Sequence, residues 1–261
     1  MKKGWLIAGI LILACVFVGC NKDNGKQGEG DASVATTVDE NGKTKSVTLV
    51  PCVLFYPEGS LWSEDSKGQL VWYNTFYAGQ TFYAYPSEEG SLSEDIFTAK
   101  VTKQGKKEAE KDSYAKISYN GKTYWMVSDL LIPNAVAKVV LEDGYNYTND
   151  SIADMTKTTI KKGQIVAVNP AYVKSAESDL ECYNVTWRAI GGKSSYRDVY
   201  IKKSIVSDKD DDLVAQRYLN RLSKIKETKN QILIDEIYET CKSLDLSSAI
   251  REQVLTEFGN N

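Results

Sequence analysis

The amino-acid sequence predicts a mainly β protein: two small β domains in tandem, followed by a C-terminal α-helical segment. Three observations carry this expectation. From Val47 to Ser207 the chain alternates short β-branched and aromatic runs with Gly, Pro and Asn punctuation. Within that stretch several anchors recur in the same order, the mark of an internal duplication. After Asp208 apolar residues return every three or four positions, which is the helix period.

The chain opens Met1-Lys2-Lys3, then runs apolar from Trp5 to Val18. That run is short of the roughly 20 residues a membrane-crossing helix needs. It fits the apolar core of a secretory signal, about 7–15 residues long. Small Gly19 precedes Cys20, and the chain is polar from Asn21 on. Phe17-Val18-Gly19-Cys20 resembles the lipobox of bacterial lipoproteins, whose cysteine becomes the first mature residue and carries acyl chains such as palmitate. Phe17 stands where that family usually has Leu. Ile12-Leu13-Ala14-Cys15 is a competing match, but it shortens the apolar core and leaves Val16-Phe17-Val18 in the mature chain. A cleaved secretory peptide with an incidental cysteine is the plain alternative. The resemblance implies a signal peptide over 1–19 and lipid attachment at Cys20. It also implies an extracytoplasmic protein held on a bacterial membrane, inner or outer. Each buried CH₂ of an acyl chain contributes about 0.8 kcal/mol to such an anchor.

Residues 20–46 are rich in Gly, Asp, Lys, Asn and Thr and nearly devoid of apolar residues. Such a segment cannot bury enough surface to offset its ordering entropy, so it reads as a disordered tether. As a Gly-rich coil it would reach roughly 30 Å.

The first β domain is expected over 47–134. Val47–Tyr56, Leu70–Tyr73 and Thr81–Tyr85 have strand character. Gly59-Ser-Leu-Trp-Ser-Glu-Asp65 reads as a polar loop holding Trp62. The charged segment Ser87–Ser113 reads as a long loop with a short strand near Ile96–Val101. Ala115–Tyr119, Asn120-Gly121 and Lys122–Val127 form the clearest local signal, since Asn-Gly supplies the positive φ angles of a type I′ hairpin turn. Ser128–Leu131 closes the domain.

The second domain is expected over 135–207. Val136–Leu141 is a strand, Glu142–Asp150 a Tyr- and Asn-rich loop, and Thr159–Val168 leads to Pro170. Cys182–Arg188, the Gly191-Gly192 turn and Val199–Ile201 make a second hairpin. Gly79-Gln80 precedes Pro86 by the spacing at which Gly163-Gln164 precedes Pro170. This order resembles bacterial SH3-like (SH3b) domains, with Trp125-Met-Val-Ser-Asp-Leu-Leu131 matching the family's "W-V…L" ending. Val199-Tyr-Ile-Lys-Lys-Ser-Ile205 matches it less well, lacking the tryptophan. The "N-V-R" motif common after that family's first strand is in neither domain. The resemblance implies two small SH3-like barrels over Val47–Ser207. Members often bind cell-wall peptide or glycan and often tether enzymes, although fold alone fixes neither use.

Residues 208–261 are expected to be helical, with apolar stripes at Val214, Tyr218, Leu222 and Ile225; at Ile234, Ile237, Tyr238, Cys241 and Leu244; and at Ile250, Val254, Leu255 and Phe258. Short amphipathic helices are marginal alone, so they should pack on one another or on the second β domain. Asp208-x-Asp210-x-Asp212 lacks the Gly and Glu of an EF-hand loop, having Leu213 and Leu219 there. Acidic residues favouring a helix N-terminus explain it better.

Composition narrows the chemistry. With no histidine in 261 residues, His-dependent triads, Cys-His peptidases and histidine metal sites are excluded in this chain. No cofactor and no metal is expected. The net charge of −3 gives no footprint for nucleic acid. Cys52, Cys182 and Cys241 are far apart and lack C-x-x-C spacing. Export permits one disulfide among them, and three buried thiols are equally acceptable. Most aromatics of the first domain should pack in the core. Trp62 and Tyr77 are the expected exposed recognition residues, with Tyr145 and Tyr147 as weaker counterparts in the second domain. The expected function is therefore non-enzymatic binding at the cell envelope, to peptidoglycan or an envelope protein. A scaffold presenting its helical tail to a partner complex is the alternative, and a carboxylate or Ser-Lys enzyme ranks third.

Overall fold

The computed structural model describes residues 34–38, 43–103, 106–148, 155–170, 173–174, 181–189 and 192–259. Cys20 and the signal-like run lie outside the described residues. The strands, in chain order, are β1 (Val34–Val38), β2 (Thr44–Thr48), β3 (Val50–Leu54), β4 (Glu58–Glu64), β5 (Leu70–Tyr77) and β6 (Thr81–Ala84). There follow β7 (Glu94–Lys103), β8 (Lys106–Tyr119), β9 (Lys122–Val127), β10 (Leu131–Pro133), β11 (Val136–Val139) and β12 (Gly144–Tyr147). The last are β13 (Met155–Ile160), β14 (Ile165–Val168), β15 (Val173–Lys174), β16 (Glu181–Arg188) and β17 (Ser195–Lys202). Four helices close the chain: α1 (Asp210–Leu219), α2 (Leu222–Glu227), α3 (Gln231–Ser243) and α4 (Ser248–Gly259). The protein is mainly β, with three sheets among the described residues. Two barrels are expected from the sequence; no sheet among the described residues closes into one, because each strand path has two separate ends.

The described residues form two compact units. The first holds those up to Val50 together with Ser60–Phe76 and Tyr83–Val127. The second holds Pro51–Gly59, Tyr77–Phe82 and those from Ser128 onward. The expected blocks 47–134, 135–207 and 208–261 follow the repeat, whereas the units follow packing.

In the first unit β1 and β2 pair from Val34↔Thr48 to Val38↔Thr44. The tether expected over 20–46 thus gives way, at its C-terminal end, to a hairpin whose Val and Thr residues favour extended backbone. The loop expected over Ser87–Ser113 is also largely a hairpin. β7 and β8 pair from Glu94↔Ala115 to Lys103↔Lys106. Charged residue types do not interrupt backbone pairing, and Phe97 lies against Tyr114 and Trp125, with ring centroids 5.9 and 4.7 Å away. The Asn120-Gly121 turn forms as expected, with φ of 49° and 71°.

In the second unit β11, β14, β16 and β17 surround a core of Val140, Ile160, Val166, Val168, Val185, Trp187 and Ile201. β3 and β10 also belong to this unit, paired from Leu131↔Leu54 to Pro133↔Cys52. Val53 and Phe55 pack there with Ala135 and Ala167.

A repeated bonding pattern relates the two halves of the β region. At the first Gly-Gln elbow the Gly79 amide donates to the Leu54 carbonyl at 2.8 Å, and the Leu54 amide donates to Gln80 at 2.9 Å. At the second the Gly163 amide donates to Val140 at 2.8 Å and the Val140 amide to Gln164 at 3.0 Å. Both glycines have left-handed backbone, φ 82° and 80°. Leu131 bridges to Leu54 as Val206 does to Val140. Ala84 faces Ile117 as Val168 faces Val185. Trp62 faces Trp125 as Tyr147 faces Tyr200. A 3₁₀ turn, Ser128–Leu130 or Lys203–Ile205, precedes each returning segment.

Helix α1 packs on both elbows within the second unit. A Cβ on Gly79 would lie 2.9 Å from Leu213, and one on Gly163 would lie 3.0 Å from Gln216. Arg217 donates to the Gln80 side chain. The single stripe expected across Val214–Ile225 is two helices, broken at Asn220-Arg221. The buried face of α1 is Asp212, Ala215, Gln216 and Leu219, with the Gln216 side chain lying against Gly163. Buried Asp212 accepts from the Ser207 hydroxyl at 2.5 Å and from the Ser247 amide at 2.9 Å, tying α1 to the α3–α4 loop. α3 and α4 bury Ile234, Ile237, Cys241, Ile250, Val254 and Phe258 as the period predicts. Leu255 faces solvent. No helix among the described residues is long and apolar enough to cross a membrane.

Candidate functional site

The first unit has an open groove of about 440 Å³ lined by Ser63, Glu64, Tyr73, Lys122, Thr123, Tyr124 and Trp125. Three strands build it. β4 supplies Ser63 and Glu64, β5 supplies Tyr73, and β9 supplies the rest. Asp65 makes the tight connection between β4 and β5, its side chain accepting from the Lys67 and Gln69 amides at 2.8 and 2.9 Å. Gly68 completes the turn with φ 72°.

Alternation along β9 sends neighbouring side chains to opposite faces. Tyr124 meets Tyr73, ring centroids 4.6 Å apart, with Tyr119 6.1 Å from Tyr124 behind. On the other face Trp125 and Tyr114 form a cluster with Trp62, Leu70, Phe97 and Val127. Ser63, beside them, donates its hydroxyl to the Val71 carbonyl at 3.3 Å. Burial pushes the Tyr124 hydroxyl up to about 12, helped by its hydrogen bond with Tyr73 and by the neighbouring phenols of Tyr73 and Tyr119. Tyr119 is raised too, chiefly by burial. The groove thus presents the phenol rings of Tyr73 and Tyr124, with Glu64 and Lys122 exposed at its rim. Such a surface suits a ligand with an apolar face and polar edges.

Of the four expected recognition residues, Trp62 belongs to the first unit and Tyr77, Tyr145 and Tyr147 to the second. Trp62 lies in strand β4, not in a loop, and is partly buried opposite Trp125. The polar run around it reads as loop by composition, yet Gly59 and Leu61 are buried while Glu58 and Glu64 at the strand's ends are exposed. Tyr77 belongs to the second unit, where the Arg221 guanidinium covers its ring at 4.1 Å. Lys224 lies 6.0 Å from the same ring and pairs with Glu58. Tyr145 is exposed on β12, whereas Tyr147 is buried. A register irregularity between them breaks the two-residue period that would have put both on one face. Asn146, between them, is fully buried.

Cys52, Cys182 and Cys241 are all buried, and burial pushes the Cys241 thiol up to about 12. Tyr73, Tyr124 and Trp125 were assignable to packing from sequence. The signal that separates them is the Asn120-Gly121 turn, which fixes strand parity and so pairs Lys122 with Tyr124 on one face. No protein-family model matches the chain, and no curated protein sequence matches it.

Proposed function

We propose that this protein is a membrane-anchored extracytoplasmic lipoprotein that acts as a non-enzymatic binding module at the cell envelope. In this reading acyl chains on Cys20 hold it to the membrane, and the Tyr73–Tyr124 groove takes peptidoglycan or, failing that, an envelope protein. The observation that carries the reading is the groove itself. Aromatic rings, hydroxyls and a Glu64/Lys122 rim offer recognition of a ligand with an apolar face and polar edges. The repeated β unit supports an SH3-like assignment for each copy. In both, a hairpin arm follows the first strand, and a 3₁₀ turn leads into a segment that returns to it.

The full chain should co-sediment with purified cell-wall sacculi. Tyr73→Ala should weaken that binding up to about tenfold, the scale of one lost aromatic contact. A folded protein that neither sediments with sacculi nor captures an envelope protein would refute the binding role. Metabolic acyl labelling that persists in Cys20→Ser would separately refute the anchor.

A further inference from the structure

Strand β5 is the last in its sheet, hydrogen-bonded to β4 on one side, with no strand beyond it among the described residues. Val71, Trp72 and Tyr73 are 49, 54 and 44 % exposed, making the only run of three consecutive exposed large hydrophobics among the described residues. From Leu70 to Thr75 the edge has no charge and no proline. Edge strands are normally guarded by such residues because their open backbone groups template pairing, and contiguous exposed apolar surface marks a contact site.

We propose that β5 pairs antiparallel with β5 of a second copy of this chain, joining two sheets across a two-fold axis. An axis perpendicular to the sheet keeps each face on its own side, so only residues of equal parity can stand opposite each other. Centred on Trp72, the pairing puts Val71 opposite Tyr73 of the second copy, and Tyr73 opposite its Val71. A β-branched residue facing an aromatic one is among the favourable cross-strand pairs. Leu70 then faces Asn74, and Trp72 faces its own mate. Self-pairing of a charged edge brings like charges together in such a register; this edge brings none, which is the charge pattern a second copy requires. Two side-chain hydrogen bonds involve this strand. Ser63 donates to the Val71 carbonyl at 3.3 Å, and the Trp72 indole donates to the Thr75 hydroxyl at 3.2 Å. Because Tyr73 also lines the groove, the pairing sets two grooves side by side. The dimer does not depend on what the groove binds.

Sedimentation equilibrium of the full chain in mild detergent should show a dimer, and Val71→Lys should reduce it to a monomer with an unchanged circular dichroism spectrum. On oxidation Trp72→Cys should give a disulfide-linked dimer, because facing Cα atoms lie about 4.5–5.5 Å apart. Thr75→Cys, roughly 20 Å from its mate in that register, should give none. A chain that is monomeric at every concentration overturns the proposal, as does a dimer that survives Val71→Lys. Equal cross-linking at the two cysteine positions does the same, and so does a monomer that takes up an extended peptide at β5 instead.

Discussion

Tyr124 shows how much one position decides. Its hydroxyl ionises in the unfolded chain near the ordinary 10.0 and in the fold near about 12. Below the lower value both states hold the proton, so the residue adds no pH dependence. Between the two values only the unfolded chain releases it, so stability falls as pH rises through that window. Alkaline titration followed by phenolate absorbance should show a late step that Tyr124→Phe removes, and the variant should lose less stability on going from neutral to strongly alkaline pH. An unchanged titration curve in the variant would place the late step elsewhere. Single residues were the least legible level of the sequence. Trp62 was readable as special, but its neighbours Ser63 and Glu64 made a half-buried strand look like a loop. Tyr77 is aromatic and punctuated by Gly79, and nothing local announces that Arg221, far along the chain, lies over its ring.

At the level of elements the two elbows carry the sharpest expectation. Gly79 and Gly163 combine left-handed backbone with a neighbour where a Cβ would sit. Gly79→Ala and Gly163→Ala should each cost about 1–2 kcal/mol from backbone strain and more from the displaced Leu213 or Gln216. Gly90 provides the control, since its φ is 84° and a Cβ there meets nothing within 4 Å. Urea midpoints of the three alanine variants should rank Gly90→Ala as the mildest; equal losses would mean that the helix contact contributes nothing. The elbows were legible because Gly-Gln pairs and the prolines after them recur at one spacing. The β7–β8 hairpin was not, because its charges carry no strand signature and its pairing is specified by the backbone register. The β12 irregularity was equally hidden, since it is defined by which residue of β13 each tyrosine faces.

For the whole chain, the helical tail is part of a core. α1 packs against β11, the α3–α4 loop is bonded to Asp212, and Arg217 and Leu213 reach the first elbow. Removing 208–261 should therefore lower the melting temperature and open the second unit to proteolysis within β11–β17. Limited digestion of the truncated chain is the direct check, and an unaltered melt would show that the tail is dispensable. The mainly β class and the start of the helices were readable from period and punctuation. Which segments share a core was not, because residues 51–59 and 77–82 join the second unit through contacts distant in sequence. The seat of α1 is shared: Leu213 and Arg217 meet the first elbow and Gln216 the second. A helix seated on both elbows has no complete partner in either alone, so neither repeat could be transplanted by itself without leaving half of that seat behind.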